Sequence, residues 1–479
     1  MKTIIKILFI VSLFQCLSCA DDLPRMNENI KDATSTSGDM FFSKVLVNLA
    51  SQVGSTGYTA NGTPAAKLFA QLVTSVTYTE GVQYIRDFSW NPLYDMLRDL
   101  DEATKMVNLV NPQSPAAEVQ KENQLAILEV TKIYINEILV ESYGNVPYSE
   151  ALNIDNVQPK YDNQQEIYLN LISRLSAAIA GLNPSGTGFG TADLLYNGNV
   201  GSWLKFANSV KLRMGMRIID AIPASGEQAI TEAIAGGVFT SNSENALFHY
   251  LDDQNNGNPH WAFLVRQNLK YYVGTKPLVD YMLSVDDPRL DAYFYPATTG
   301  PNAGKHAGAA SADVVPYDNY SILGARFREL TLPVIFMDYA SVEFFLAEAA
   351  ERGIAGITDA KDHYNKAIAA SFAYYGVGGV DAYLAQPGVN YDTTEGTWKQ
   401  KIGMQKWVSL FEQGFEAWTE YRRLDYPVLQ APASAYSDVV PRRFLYPLSE
   451  QSVNEARYVE VLADMGGDEY NIRLFWDIY

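Results

Sequence analysis

The chain has 479 residues, 47% hydrophobic and 19% charged, a balance that supports a sizeable core and excludes a disordered chain. Its 36 Lys and Arg against 55 Asp and Glu give a net charge of -19, and a surface so acidic repels phosphate backbones, which excludes nucleic acid as a partner. Aromatic residues lean to Tyr, with 31 Tyr beside 21 Phe and 7 Trp; an apolar ring that carries a hydroxyl suits a half-wet binding surface.

Met1 to Ser18 carries Lys2 and Lys6 and then an apolar run from Ile7 to Leu17, the order of a secretory signal and too short for a membrane span. The two cysteines, Cys16 and Cys19, stand at its end. Cys16-Leu17-Ser18-Cys19 resembles a bacterial lipobox, with Cys16 where Leu is usual, and the resemblance implies lipidation at Cys19. A Cys-x-x-Cys redox or zinc pair has the same spacing, but the apolar segment of a signal does not fold into such a site. Ala20-Asp21-Asp22 resembles the acidic export signal that sends lipoproteins of Bacteroidetes to the outer face of the outer membrane. Cleavage would remove Lys2 and Lys6, leaving 34 basic against 55 acidic residues, a net charge of -21. The mature chain then holds no thiol beyond its anchor, so no disulfide is expected. Residues 19–39 are polar and read as a tether, with residues 40–479 as one domain; no later run of about 18 apolar residues interrupts it, which predicts a soluble body.

Along that domain the periodic signals are helical. Asn91-Pro92 opens a helix through Leu93, Leu97, Leu100 and Val107, with Pro at the tolerated first turn. A partner from Lys121 to Tyr143 is apolar on several faces and must be buried on more than one side. Gln165 to Leu182 and Val200 to Ala221 follow near a 3.6 period and predict a second hairpin. The stripe Ile335, Tyr339, Val342, Leu346 and Ala349 with Ala360 to Tyr375 predicts a third. The last helix runs from Gly403 to Leu424, with Trp407, Phe411, Phe415, Trp418 and Arg422 on one stripe. The predicted class is mainly α, a tetratricopeptide-like scaffold of about four helical hairpins with minor β, although the 34-residue consensus is absent. Between Gly236 and Thr331 the texture turns to Asn, Gly, Pro and Tyr, which predicts a loop-rich, ordered and functional segment packed on the helices.

Five segments resemble the SusD/RagB family. Glu141 to Leu152 (ESYGNVPYSEAL) is similar to its "YGdvPYsEAL" stretch, and Trp203 to Arg213 (WLKFANSVKLR) to its "W.kfANSLklR". Asp286-Asp287-Pro288-Arg289-Leu290 resembles the "DPRl" turn, and Met337 to Glu348 the "mtyaEv.fi.AEA" helix. Pro441 to Pro447 with Glu450 and Asn454 is similar to "P.R..YP..E...N". The resemblance spans about 320 residues in the right order. It implies a lipid-anchored outer-membrane protein at the cell surface, non-catalytic, that captures an oligosaccharide, less often a peptide. It also implies a partner, a TonB-dependent SusC-like porin over which the protein sits as a hinged lid. The motifs themselves read as scaffold: Gly144 and Pro147 end a helix and fix a turn, and Trp203, Asn208 and Arg213 lie on a packed helix.

Catalytic chemistry finds little support. Glycoside hydrolysis needs two opposed carboxyl groups, but Glu343 and Glu348 point to different helix faces, and Asp252-Asp253 and Asp286-Asp287 lie in turn-like stretches; all read as solvated or capping groups. The first alternative is a lipoprotein of the same type whose helical repeats bind a peptide or another protein, and the second, behind it, is an enzyme of a polysaccharide system. His249, His260, His306 and His363 show no ligand spacing, so no metal or other cofactor is expected. Gly186 to Gly190 lacks the Lys-Ser/Thr of a phosphate loop and reads as a turn between helices.

Aromatic residues carry the binding expectation. Trp203, Trp407 and Trp418 lie on helical stripes and belong to the core. Trp261 stands in Asn255-Asn256-Gly257-Asn258-Pro259-His260-Trp261, a polar loop, with Tyr271, Tyr272, Tyr293 and Tyr295 downstream. Flat rings take the C–H faces of sugars and amide groups take their hydroxyls, so Trp261, Asn258, Tyr271, Tyr272 and Tyr295 are the expected ligand contacts. Tyr78 and Tyr84 are weaker candidates, and a Trp261 that only pins its loop to the helices is the competing reading.

Overall fold

Capping residues decide where the helices start, and the computed structural model describes them for residues 37–54, 65–84 and 89–479. The leader, Cys19 and the tether as far as Thr36 lie outside the described residues. Gly38 and Asp39, assigned above to the tether, form the first turn of α1 (Gly38–Gly54). Then α2 (Asn91–Leu109) begins at Asn91-Pro92 as expected. Next, α3 (Pro115–Tyr143) begins earlier than Lys121, because Ser114 Oγ accepts the Ala117 N–H at 3.2 Å and Pro115 fills the first turn. Asn163 caps α4 (Gln164–Gly181) and Asn199 caps α5 (Val200–Ile218) through their side-chain oxygens. The chain continues through α6 (Pro223–Gly236), α7 (Lys276–Ser284), α8 (Tyr339–Arg352), α9 (Ala360–Tyr375), α10 (Trp398–Ser409), α11 (Gly414–Leu424) and α12 (Glu455–Met465).

The architecture is mainly α and built of hairpins, but the pairing is shifted. Helix α1 packs chiefly on α2, α3 on α4, α5 on α6 and α8 on α9, so the expected partners α2 with α3 and α4 with α5 each have a closer neighbour, while α10 packs on both α8 and α11. Helix α6 escapes a periodicity reading because its buried stripe is Gly226, Ala229, Ile230 and Ala233, mostly small residues. The expected helix from Gly403 to Leu424 is two helices, α10 and α11, joined by a 3-10 turn at Leu410–Glu412. Close packing at the start of α11 requires glycine: a Cβ on Gly414 would stand 2.5 Å from Lys67 Cβ and 2.8 Å from its Cα. Ile335 is not helical either, since Asp338 caps α8 by accepting the Ser341 N–H at 2.9 Å.

The described strands are short: β1 (Val73–Ser75), β2 (Val146–Pro147), β3 (Tyr161–Asp162), β4 (Ala246–Phe248), β5 (Tyr272–Gly274), β6 (Phe294–Tyr295), β7 (Ile322–Leu323) and β8 (Val334–Met337). They form an antiparallel sheet in the order β1-β5-β7-β6 and the antiparallel pairs β2-β3 and β4-β8. One face of the four-stranded sheet, with Tyr272, Phe294 and Leu323, joins the main core; the other, with Val273 and Ile322, builds a satellite core with Val76, Ala309 and Tyr317. No described helix is long and apolar enough to cross a membrane.

A ladder of ions runs through the helical core. Arg213 on α5 meets Glu137 on α3, and Arg217, fully buried, meets Glu141 of α3 at 2.9 Å, Glu416 of α11 at 3.0 Å, and Glu420. Arg423 then joins Glu420 and Glu348 at 2.7 and 2.6 Å, and Arg352 joins Glu348 to Asp220. Desolvation outweighs the Arg213 charge at Glu137 and pushes its carboxyl up to about 7, while Arg423 and Lys406 hold Glu420 well below the ordinary range in spite of its burial. Taking such charges out of water costs several kcal/mol per ion, so each depends on its partners.

The motifs named above fall inside this frame. Trp203, Asn208 and Arg213 are buried, and the C-terminal motif closes over the Gly144–Pro147 turn. Phe444 N–H donates to Ser142 O at 2.7 Å, Tyr446 Oη to Asn145 O at 2.8 Å, and Asn454 Nδ2 to Pro159 O at 3.0 Å. Gly144, at φ +85°, ends α3 where Met465 and Leu474 leave no room for a side chain.

Candidate functional site

Of the carboxylates weighed for catalysis, Asp252, Asp253 and Asp286 are exposed as expected, but Glu343, Glu348 and Asp287 are buried and paired, which corrects the solvated reading for those three. Glu348 is fully buried between Arg352 and Arg423, and Glu343 lies 2.6 Å from His363 Nδ1. Asp287 is buried against Arg289 at 2.7 Å and accepts from Tyr383 Oη at 2.9 Å, while Arg289 also reaches Ser371 and Gln405. Only Asp253 of the adjacent pair behaves as a turn residue, accepting from Asn255 N and Asn256 Nδ2. Among the described residues no group of three or more His, Cys, Asp and Glu side chains could hold a metal. Gly186 to Gly190 forms the turn between α4 and α5.

What remains is aromatic. Leaving β1, the chain presents Tyr78, 50% exposed, whose ring meets Tyr271 edge-on at 4.9 Å. Tyr271 in turn meets Phe263 at 5.4 Å. Backbone bonds fix the pair: Val76 N–H donates to Tyr271 O at 2.8 Å, and Thr77 Oγ1 to Lys270 O at 3.2 Å. Phe263 lies in a π-helical turn, Ala262–Arg266, closed by Gln267 N–H donating to Ala262 O at 2.9 Å. Such turns are rare and gather at functional sites. Around the rings stand exposed Gln267 and Asn268 and the pair Lys270–Asp318 at 3.0 Å. Lys270 also lies 5.8 Å from the Tyr317 ring. The edge therefore offers ring faces bordered by hydrogen-bonding groups of both polarities.

Trp261 ends the short helix Pro259–Trp261, two residues before Phe263 in sequence. It is half-buried, and among the described residues it makes no hydrogen bond and no ring contact. Its neighbours anchor the turn. Asn258 Oδ1 accepts the His260 N–H at 2.7 Å and its Nδ2 donates to Leu332 O at 2.7 Å. His260 is buried, with Nε2 3.0 Å from Gly54 O, so that nitrogen carries the proton and Nδ1 is left bare. Burial and then the Lys67 charge push the imidazole down to about 3, and burial brings Lys67 to about 8 against the pull of Glu412.

The expected contacts thus separate. Tyr78 and Tyr271 meet at one edge, whereas Trp261, near Phe263 in sequence, makes no ring contact with them. Tyr295 is 41% exposed but lies on β6, at the far side of the sheet from β1. Asn258, Tyr272 and Tyr84 are buried, as is Tyr293, which stacks on Phe411 at 4.3 Å. Asn258 uses its side chain on backbone, and Tyr84 packs edge-on against Phe69 at 5.3 Å. These four are framework in this structure, and the polar text around Asn258 did not reveal it because a buried Asn cap looks like an exposed one in sequence. Phe263 was overlooked because an isolated Phe in a short apolar run reads as core, which in part it is. Beyond the turn after β1, Tyr436 N–H donates to Gln83 O at 2.8 Å and roofs a depression of 320 Å³ with Asp438, Glu469, Tyr470 and Asn471.

The sequence pattern of the SusD-like family described as "Starch-binding associating with outer membrane" matches residues 28–447. Among solved structures, a chitin-binding protein is 28% identical, with 92% of this chain and all of that one covered and a TM-score of 0.75. A SusD-like protein from the Bacteroidetes is 23% identical over 93% of this chain and all of that one, TM-score 0.77. A chitin-binding SusD homolog from Flavobacterium johnsoniae is 23% identical over 92% of this chain and 98% of that one, TM-score 0.76. No curated protein sequence matches the chain.

Proposed function

Since this chain belongs to the SusD-like family, we propose that it is a non-catalytic, lipid-anchored protein of the outer-membrane surface that captures an oligosaccharide and passes it to a TonB-dependent SusC-like porin. The observation that carries the binding reading is the aromatic edge where Tyr78 meets Tyr271 and Tyr271 meets Phe263 of the π-helical turn, with Trp261 just before that turn in sequence. Rings of this kind stack on the apolar faces of sugars, and the amide and charged groups beside them address hydroxyls. The chitin-binding relative at 28% identity directs the first choice of ligand to β-linked N-acetylglucosamine oligomers, with malto-oligosaccharides second on the family's description. The non-catalytic reading is supported by the core carboxylates: Glu348, Glu420 and Asp287 are each held by an arginine.

Calorimetric titration with chitin and starch oligomers tests the reading. Losing one stacked ring from such a surface is worth about 2 kcal/mol, some thirtyfold in affinity, so Trp261→Ala and Tyr271→Ala should each lose about that much. Because Trp261 is only half-buried, its removal should cost less stability than the about 3 to 5 kcal/mol of a core Trp. Unchanged binding by both variants refutes the edge as the site, and shortened oligomers after incubation refute the non-catalytic reading.

A further inference from the structure

A second cavity, of 300 Å³, opens where α2, α3 and α4 meet the turn that follows β2. It shares no residue with the aromatic edge. That volume is at the small end of ligand pockets, room for one sugar-sized ring. Tyr148 forms one wall: its hydroxyl donates to Asn170 Oδ1 at 2.6 Å and accepts from Arg174, whose guanidinium lies 5.8 Å from the ring. Tyr94 forms another, locked by its hydroxyl to Pro147 O at 2.6 Å. Both cations are already neutralised, Arg174 by Glu129 at 2.6 Å and Lys132 by Asp101 at 2.7 Å.

Among the described residues, Arg174 Nη2, the Asn170 amide nitrogen and one Lys132 proton donate to no protein atom, while Asn136 Oδ1 and the second oxygen of Asp101 accept from none. Donors and acceptors in near-equal number, in a charge-balanced cavity with two tyrosines, suit hydroxyl groups, each of which gives and takes a hydrogen bond. A further, independent observation lies at the mouth. Leu152 is 44% exposed and held at φ +60°, a conformation that costs a bulky residue of order 1 to 3 kcal/mol and persists where something is gained from it. Leu152 joins none of the core clusters, so no packing gain in the structure offsets that strain.

We propose that this cavity is a second binding site, for a small neutral polyhydroxylated ligand of about one sugar ring, with Tyr148, Arg174, Asn170 and Lys132 as hydrogen-bonding wall and Leu152 as its apolar lip. The test is saturation-transfer NMR with methyl β-glucoside and methyl N-acetyl-β-glucosaminide on four full-length proteins. These are the parent, Trp261→Ala/Tyr271→Ala, that double variant with Asn170→Trp added, and Leu152→Gly. The double variant should keep a millimolar saccharide signal, and Asn170→Trp, a change at an exposed helix position, should weaken it at least tenfold. Leu152→Gly should bind at least threefold more weakly with a melting temperature no lower than the parent. Loss of all signal in the double variant overturns the second site and leaves the edge intact. A signal untouched by Asn170→Trp or by Leu152→Gly overturns it as well, whereas parent-like binding of the longer oligomers by Trp261→Ala and Tyr271→Ala counts against the edge alone.

Discussion

Replacing Arg217 by Met should expose how the ion ladder holds the helices together. Arg217 is fully buried and bonds three carboxylates, but these do not lose equally. Glu420 keeps Lys406 at 2.8 Å and Arg423 at 2.7 Å, and Glu141 keeps the Tyr168 hydroxyl at 2.9 Å. Glu416 keeps only Arg213, at 3.9 Å. Leaving one buried charge without its partner costs about 3 to 5 kcal/mol. At an unfolding entropy near 0.9 kcal/mol per kelvin for a domain of this length, that is a fall in melting temperature of about 3 to 5 °C. The sign with pH identifies the cause. A stranded carboxyl has a raised pKa in the folded state, so its penalty is full above that value, shrinks as pH falls below it and is gone below the unfolded pKa. The deficit of Arg217→Met should therefore shrink from pH 8 to pH 5 in urea titrations, and Glu416→Gln added to it should recover part of the loss at pH 8. A deficit below 1 kcal/mol, or one independent of pH and of Glu416→Gln, would refute the account.

Cys19→Ala should release the protein from membranes on fractionation; retention would show that the anchor is elsewhere, since the several acyl chains of a bacterial lipoprotein bind far more firmly than one. Oligosaccharide affinity should change little between low and moderate salt, because a neutral ligand gains nothing from a net charge of -19, and a steep decline would point to an ionic ligand. His260, pushed down to about 3 from 6.5, keeps its stabilisation above pH 6.5 and loses it as pH falls toward 3, by up to about 1.4 kcal/mol per pH unit. Denaturation of His260→Gln should show a flatter acid limb than the parent, and equal slopes would refute the assignment.

The helical class was legible because most stripes carry large apolar residues and side-chain caps, as in α4 behind Asn163 and α9 behind Asp359. Pairing was not. Helix α6 hides behind small residues, and the start of α11 at Gly414 packs on Lys67, remote in sequence. At the site, Trp261, Tyr271 and Tyr78 could be picked out singly as aromatic residues in polar text. That Tyr78 would meet Tyr271 depends on β1 pairing with β5, a long-range register that short strands of three residues do not announce. Buried Tyr272 and partly buried Tyr271 differ only by the alternation of a strand, whose phase local composition leaves open.

The closure of the C-terminal motif over the Gly144 turn has a temporal consequence. Tyr446 and Asn145, 301 residues apart, must meet before α3 has a stable end, and Trp476 must arrive before Arg217 and Arg422 have the ring they face at 5.6 and 4.7 Å. A ribosome adds about 5 to 20 residues per second, so the early helices wait tens of seconds for residues that complete their core. Until then the half-made chain lacks the contacts that close its core, and the native structure is complete only after nearly all of it has been synthesised.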